Sequence, residues 1–113
     1  MNLHQAKHVT GLERWGTKRL RVVLGEPMIV EEYDHYRPDD LNDMLALSDA
    51  FFATRQATLA LVQEMIYAAV PPDRKVFHNE MGDITVRAWL YYLENHAYRE
   101  TRLVRMQKSA QTS

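Results

Sequence analysis

Two ionisable residues, His96 and Glu100, share one face of a predicted helix. Residues four apart lie one turn from each other on an α-helix. That face is otherwise apolar, because Trp89 and Leu93 fall within about 40° of the same line on a helical wheel. A carboxylate on a core-facing stripe is costly to bury unless it is paired, hydrogen-bonded or bound to a cation. Glu100 therefore requires a partner.

A second predicted helix, nearer the start of the sequence, carries His8 about 40° from the centre of an apolar stripe at Leu12. Two interpretations compete. In the first, His96 and Glu100 hydrogen-bond with each other, with an arginine or with water, and His8 is a partly exposed residue near a helix end. In the second, His8, His96 and Glu100 converge as two imidazoles and one carboxylate. That ligand set suits zinc, nickel or ferrous iron and leaves positions open for water and substrate.

Three segments have the apolar periodicity of helices, and no segment alternates for long enough to predict a strand. The helices are expected over about residues 3–24, from after Asp39-Asp40 to about residue 69, and over about residues 82–108. At ~1.5 Å per residue they are roughly 30–45 Å long and suit a bundle. We therefore predict an all-α fold, a single domain over residues 1–113 built as a bundle of three long helices.

The two connections between these helices are each about 14 residues long, whereas helix links in bundles usually have about 2–8. We therefore expect a crossover connection or a binding loop in each case. The second connection contains His78, which can approach the histidine site only if that loop folds over the bundle.

Composition excludes several classes of protein. The chain has 113 residues, 14 basic and 15 acidic side chains, a formal net charge of −1 and no cysteine. The charge balance argues against a nucleic-acid partner. The absence of cysteine excludes disulfides, cysteine-ligated zinc and a cysteine nucleophile of the chain's own. With neither a signal-like apolar start nor a run of membrane-spanning length, we expect a cytoplasmic protein with no membrane partner.

Several short motifs occur together in the order of one known family. The stretch His8-Val9-Thr10-Gly11-Leu12-Glu13-Arg14-Trp15 resembles the opening of the second helix of DinB-like (DinB/YfiT) proteins, a pattern like HLxxxExxW. Residues 27–34 and then Phe52-Ala53-Thr54-Arg55 look like that family's crossover loop and third helix. Residues 78–85, followed by His96, are similar to the approach to its fourth helix. The resemblance covers about residues 3–107.

The resemblance implies a four-helix bundle that holds a divalent metal through three histidines. Carried over residue by residue, the ligands are His8 and His96, and the third position falls on Glu100, a carboxylate in place of the usual histidine. The sequence begins where the family's second helix begins. Three amphipathic helices without a fourth would expose an apolar groove, so we expect two chains to associate as a homodimer with twofold symmetry.

The resemblance also implies an activity. Members of the family include bacillithiol transferases and mycothiol-dependent maleylpyruvate isomerase, so a metal-dependent transferase or hydrolase that uses a low-molecular-weight thiol is one hypothesis. A metal at the site would lower the pKa of the thiol. Arg55, Trp89 and Tyr92 are then expected to line a pocket for a small-molecule ligand. The alternative is a non-catalytic dimeric binding or scaffold module that has lost the metal site, with Glu100 held by Arg19 or Arg55.

Overall fold

The computed structural model describes residues 2–98, and these form a mostly helical fold. Helix α1 spans Leu3–Leu20 and helix α2 spans Met44–Tyr67. A third helix, α3, covers residues 86–98 of the described part. The helical character predicted from the sequence is confirmed, and the predicted helix after residue 98 lies outside the described residues. Within residues 2–98, no helix is both long enough and apolar enough to cross a membrane.

Local signals fix both ends of α1. At the start, the Asn2 side chain accepts a hydrogen bond from the backbone of Gln5 at 2.8 Å, and the Gln5 side chain accepts one from the backbone of Asn2 at 3.0 Å. At the end, the chain tightens into a 3-10 turn over Arg21–Leu24 and stops at Gly25. Gly25 has a φ of 95°, a left-handed conformation that glycine adopts without a steric cost.

The first connection crosses back over α1. A 3-10 turn at Tyr33–Tyr36 packs along the helix, and the Trp15 indole donates a hydrogen bond to the Glu31 carbonyl at 2.9 Å. The approach is closest at Gly11, where an added Cβ would come within 2.8 Å of the Arg37 Cα atom. The crossover therefore needs a residue without a side chain at this position of α1.

Helix α2 begins later than predicted, because its cap is Asp43. The Asp43 side chain accepts a hydrogen bond from the backbone of Leu45 at 3.3 Å. Asp39 and Asp40, the predicted capping residues, precede the helix. All three are aspartates in one short stretch, so the sequence predicted the capping chemistry but not the residue that supplies it.

The second connection contains a hairpin that the sequence analysis did not predict. Strand β1, Lys75–His78, pairs antiparallel with strand β2, Gly82–Thr85, and Val76 lies opposite Ile84. Strands of four residues are too short to show a clear alternation. The second strand also occupies the predicted first turn of α3. The Thr85 hydroxyl accepts a hydrogen bond from the backbone of Ala88 at 3.0 Å and so caps α3 at its start.

The hairpin folds over the helices and closes one side of the core. The indole of Trp89 donates a hydrogen bond to the Val76 carbonyl at 3.0 Å, which fastens α3 to β1. The buried hydrophobic cluster takes residues from all three helices, from the 3-10 turn after α1 and from β1: Leu12, Trp15, Leu20, Val23, Leu61, Met65, Val76, Val86, Trp89 and Leu93.

Candidate functional site

Four rings from three elements form a buried aromatic cluster, which consists of Trp15 on α1, His78 on β1, and Trp89 and Tyr92 on α3. The His78 ring centroid lies 4.9 Å from that of Trp89, 4.9 Å from that of Tyr92 and 5.3 Å from that of Trp15. The imidazole is therefore enclosed by aromatic rings from both α1 and α3. The hairpin carries the imidazole to this position. The second connection thus folds over the helices, as His78 requires if it is to approach them.

The hydrogen bonds of His78 define its protonation. Its Nδ1 accepts from the backbone amides of Glu80 at 3.0 Å and Met81 at 3.2 Å. A neutral ring whose Nδ1 accepts must carry its proton on Nε2. Burial lowers the pKa of His78, Glu80 opposes that effect and Arg19 adds to it, so the neutral form is favoured. A nitrogen that carries its proton has no lone pair for a metal, and His78 is thus a wall of the site rather than a ligand.

His8 and His96, the two predicted histidine ligands, each contact a tyrosine. The ring of His8, on α1, lies 5.1 Å from that of Tyr33, and the ring of His96, on α3, lies 4.7 Å from that of Tyr92. Both histidines are partly buried. Burial raises the pKa of Tyr92, and the nearby Glu80 and Tyr33 raise it further. Each predicted ligand histidine thus packs edge-on against a tyrosine, one pair formed on α1 and the first connection and the other within α3.

The third predicted ligand, Glu100, lies outside the described residues. Within residues 2–98, no three histidine or carboxylate side chains are grouped closely enough to hold a metal ion. The two-histidine, one-carboxylate site therefore stays a prediction, and the described part of the chain contributes two of its three residues.

Trp89 and Tyr92, two of the three predicted pocket residues, belong to the aromatic cluster. Trp89 is completely buried, so its ring packs beneath the other aromatic rings and has no surface on which a ligand could bind. Tyr92 is partly exposed and contacts both His78 and His96. Of these two residues, Tyr92 is the one with a surface on which a ligand could pack.

Arg55, the third predicted pocket residue, lies in an ion-pair network away from the aromatic cluster. Its guanidinium donates to the Glu13 carboxylate at 2.8 Å and to the Glu94 carboxylate at 2.5 Å. Glu13 is only 2% exposed, and its second oxygen accepts from the Thr58 hydroxyl at 2.6 Å. Arg55 thus balances the charge of a buried carboxylate and joins α1, α2 and α3.

The burial of the Glu13 carboxylate was not predicted from the sequence. The available signal was its position on α1, because residues i−4 and i+7 from it are Val9 and Leu20, both buried. Its partners, however, come from α2, more than 40 residues further along the chain. No local pattern indicates such a pairing.

Arg19 fastens α1 to the hairpin. It is 1% exposed, and one of its terminal nitrogens donates to the Phe77 carbonyl at 2.8 Å and to the Asn79 side chain at 2.9 Å. Its guanidinium also lies 5.0 Å from the centre of the Trp15 ring, a favourable cation–π distance. Burial lowers its pKa. Arg19 therefore holds the strand that positions His78.

A cleft of about 450 Å³ runs between α2 and α3. Its walls are mostly apolar and include Leu59, Val62, Ile66, Leu90 and Tyr91. Arg55 also borders this cleft, whereas neither His8 nor His96 lines it.

Comparison of the chain with protein-family models, with curated proteins and with solved structures found no match. The likeness to DinB-like proteins therefore remains a prediction from the motifs.

Proposed function

We propose that the protein binds a divalent metal ion through His8, His96 and Glu100, in a helical fold of the DinB-like type. The observation that carries this proposal is that His8 on α1 and His96 on α3 are both partly buried and each packs against a tyrosine, Tyr33 and Tyr92 respectively. Two imidazoles and a carboxylate form a ligand set that leaves positions open for exchange. Glu100 follows His96 by four residues in the sequence, which is the spacing of one turn if the helix predicted over about residues 82–108 includes both.

The surroundings suit a small polar ligand. The Tyr92 hydroxyl is protonated at neutral pH, as in any tyrosine, so it can donate a hydrogen bond to a ligand oxygen. His78 and Trp89 pack against the Tyr92 ring and restrict its rotation. A bound metal would lower the pKa of a coordinated thiol or water and so supply a nucleophile at neutral pH. The chain has no cysteine, so a thiol would come from a separate small molecule.

Metal content after purification without a histidine tag tests the proposal. Elemental analysis should find close to one divalent ion per chain, and His96→Ala and Glu100→Gln should each lower the occupancy at least tenfold, because each removes one of three ligands. His4→Ala is the matched control. His4 is exposed on the same helix one turn before His8, and its loss should leave the metal content unchanged. A metal-free protein, or one that loses metal equally in the control, contradicts the proposal.

A non-catalytic dimeric binding module is a second candidate function, and one specific observation favours it. The outer face of α2 carries large exposed apolar side chains, including Leu45, Phe52 and Ile66. Contiguous exposed apolar surface usually marks an interface. This function predicts self-association without stoichiometric metal, so the elemental analysis separates it from the first.

A further inference from the structure

Helix α2 carries an exposed apolar stripe with a constant seven-residue spacing. Leu45, Phe52, Leu59 and Ile66 are 71%, 65%, 52% and 73% exposed, and these four residues are the heptad stripe. A single exposed apolar residue is ordinary, whereas four in register along a helix are not. Side chains seven residues apart lie on nearly the same face of a helix, so the four residues form one line along α2.

The opposite face of α2 packs against the rest of the chain. Its buried residues are Leu47, Thr54, Thr58, Leu61 and Met65. With the heptad stripe on the outside, α2 presents large apolar side chains to solvent as well as to the core. A line of exposed apolar side chains along one helix is typical of a surface that another molecule covers.

We propose that a second copy of this chain covers the heptad stripe, with the two α2 helices antiparallel. Four equally spaced side chains are self-complementary under a twofold axis. With the axis between Arg55 and Gln56, Phe52 of each copy faces Leu59 of the other, and Leu45 faces Ile66. This inference does not depend on whether the histidine site holds a metal.

The cleft between α2 and α3 fits this arrangement. Leu59 and Ile66, the C-terminal half of the heptad stripe, line the cleft together with Leu90 and Tyr91 of α3. In the antiparallel pair, the N-terminal half of the stripe of the second copy faces these residues. Its Phe52 and Leu45 side chains would then enter an apolar cleft, where both α2 and α3 contact them.

The charges near the stripe favour the antiparallel direction. Asp49 lies within the span of the stripe, is exposed, and makes no ion pair with another described residue. Parallel helices would place the two copies of Asp49 opposite each other, whereas antiparallel helices place Asp49 opposite Val62. Arg55 lies next to the axis, but its charge is balanced by Glu13 and Glu94. No unbalanced like charges meet across the interface.

Light scattering on the full-length chain at micromolar concentration tests the interface. The wild type should have the mass of a dimer, and Phe52→Glu and Leu59→Glu should each shift it to the mass of a monomer, because each buries a carboxylate against an apolar surface. Val30→Glu is the matched control, since Val30 is 83% exposed but lies in the first connection. It should remain dimeric.

A monomeric wild type, or a dimer that survives both α2 substitutions, overturns the proposal. Circular dichroism should show the same helical content in all four proteins, because the substituted side chains are exposed in the single chain. The metal content of the two α2 variants should equal that of the wild type, so a failure here is distinguishable from a failure of the metal site.

Cross-linking tests the direction of the helices. The chain has no cysteine, so Gln56→Cys and Gln63→Cys each introduce a single thiol. Both glutamines are exposed and occupy equivalent positions one heptad apart. In the antiparallel pair the two copies of position 56 meet at the axis, whereas position 63 faces residue 48, so its two copies are about 22 Å apart along the helices.

A short bismaleimide should therefore link Gln56→Cys into a covalent dimer at least tenfold more efficiently than Gln63→Cys. Equal linking of both variants would indicate parallel helices, and a dimer that links neither variant would indicate another surface. Either result overturns the proposed arrangement.

Discussion

His78 is the residue whose environment differs most from what the sequence indicates. A histidine in a predicted loop is expected to be solvated, yet this imidazole is 2% exposed and packed among Trp15, Trp89 and Tyr92. The cause is the hairpin, which turns the side chain inward and supplies two backbone amides to its Nδ1. Because both donors are local, the buried ring needs no polar partner from the helices at that atom.

Because the pKa of His78 is lowered in the folded protein, we predict that the free energy of unfolding depends on pH. In the unfolded chain histidine has its ordinary pKa of about 6.5. Burial lowers the pKa in the folded state, so the unfolded chain binds more protons below about pH 6.5. The contribution of His78 to the free energy of unfolding is therefore complete above that pH and is lost as the pH falls through the folded-state pKa.

Urea denaturation at pH 7.5 and 5.5 measures this loss. His78→Asn keeps an acceptor for the two turn amides but does not titrate, so its free energy of unfolding should fall less than that of the wild type between the two pH values. His35→Asn, at an exposed histidine, should behave as the wild type does. An equal fall in wild type and His78→Asn would show that His78 is not the group responsible.

At the scale of elements, the sequence predicted the helix ends that are determined by residues close to them in the chain. The 3-10 turn that continues α1 ends at the predicted glycine stop, Gly25, and α2 ends before Pro71 and Pro72, which cannot continue a helix. The hairpin was missed because its strands are four residues long and are stabilised by contacts with distant residues. The hydrogen bond from Trp89 to the Val76 carbonyl is one of these. For the candidate site, the choice of His8 and His96 as ligands stays a prediction from the sequence, and the pairing of Glu13 with Arg55 was not predicted.

The ion-pair network centred on Arg55 joins three helices. We therefore predict that its removal lowers the free energy of unfolding. Arg55→Met should lower the free energy of unfolding by about 3–5 kcal/mol, since it leaves the buried Glu13 carboxylate without a counter-charge. Glu94→Gln removes the other ion pair, but the Glu94 side chain is 63% exposed and the loss should stay below about 1 kcal/mol. Urea denaturation measures both.

A double variant supplies the control for this network. Glu13→Gln combined with Arg55→Met removes the buried charge as well as its partner and should regain part of the stability lost in Arg55→Met alone. If Arg55→Met and Glu94→Gln cost the same small amount, the Glu13 carboxylate is not dependent on Arg55.

At the scale of the whole molecule, the exposed apolar surface of α2 decides whether one chain is the complete folded unit. The four residues of the heptad stripe, Leu45, Phe52, Leu59 and Ile66, are 52–73% exposed in the single chain. Pairing of two copies along α2 would remove these side chains from water, and folding would then be coupled to association.

Thermal unfolding should therefore depend on protein concentration. Dimer dissociation accompanies unfolding, so a hundredfold rise in concentration stabilises the folded dimer by about 2.7 kcal/mol. For a dimer of two such chains this corresponds to an increase in Tm of roughly 5–10 °C. Phe52→Glu, which should be monomeric, is expected to show a constant Tm over the same range, whereas Val30→Glu should follow the wild type. A constant Tm for the wild type would show that no second copy is bound to the exposed face of α2, and it would contradict the proposed dimer.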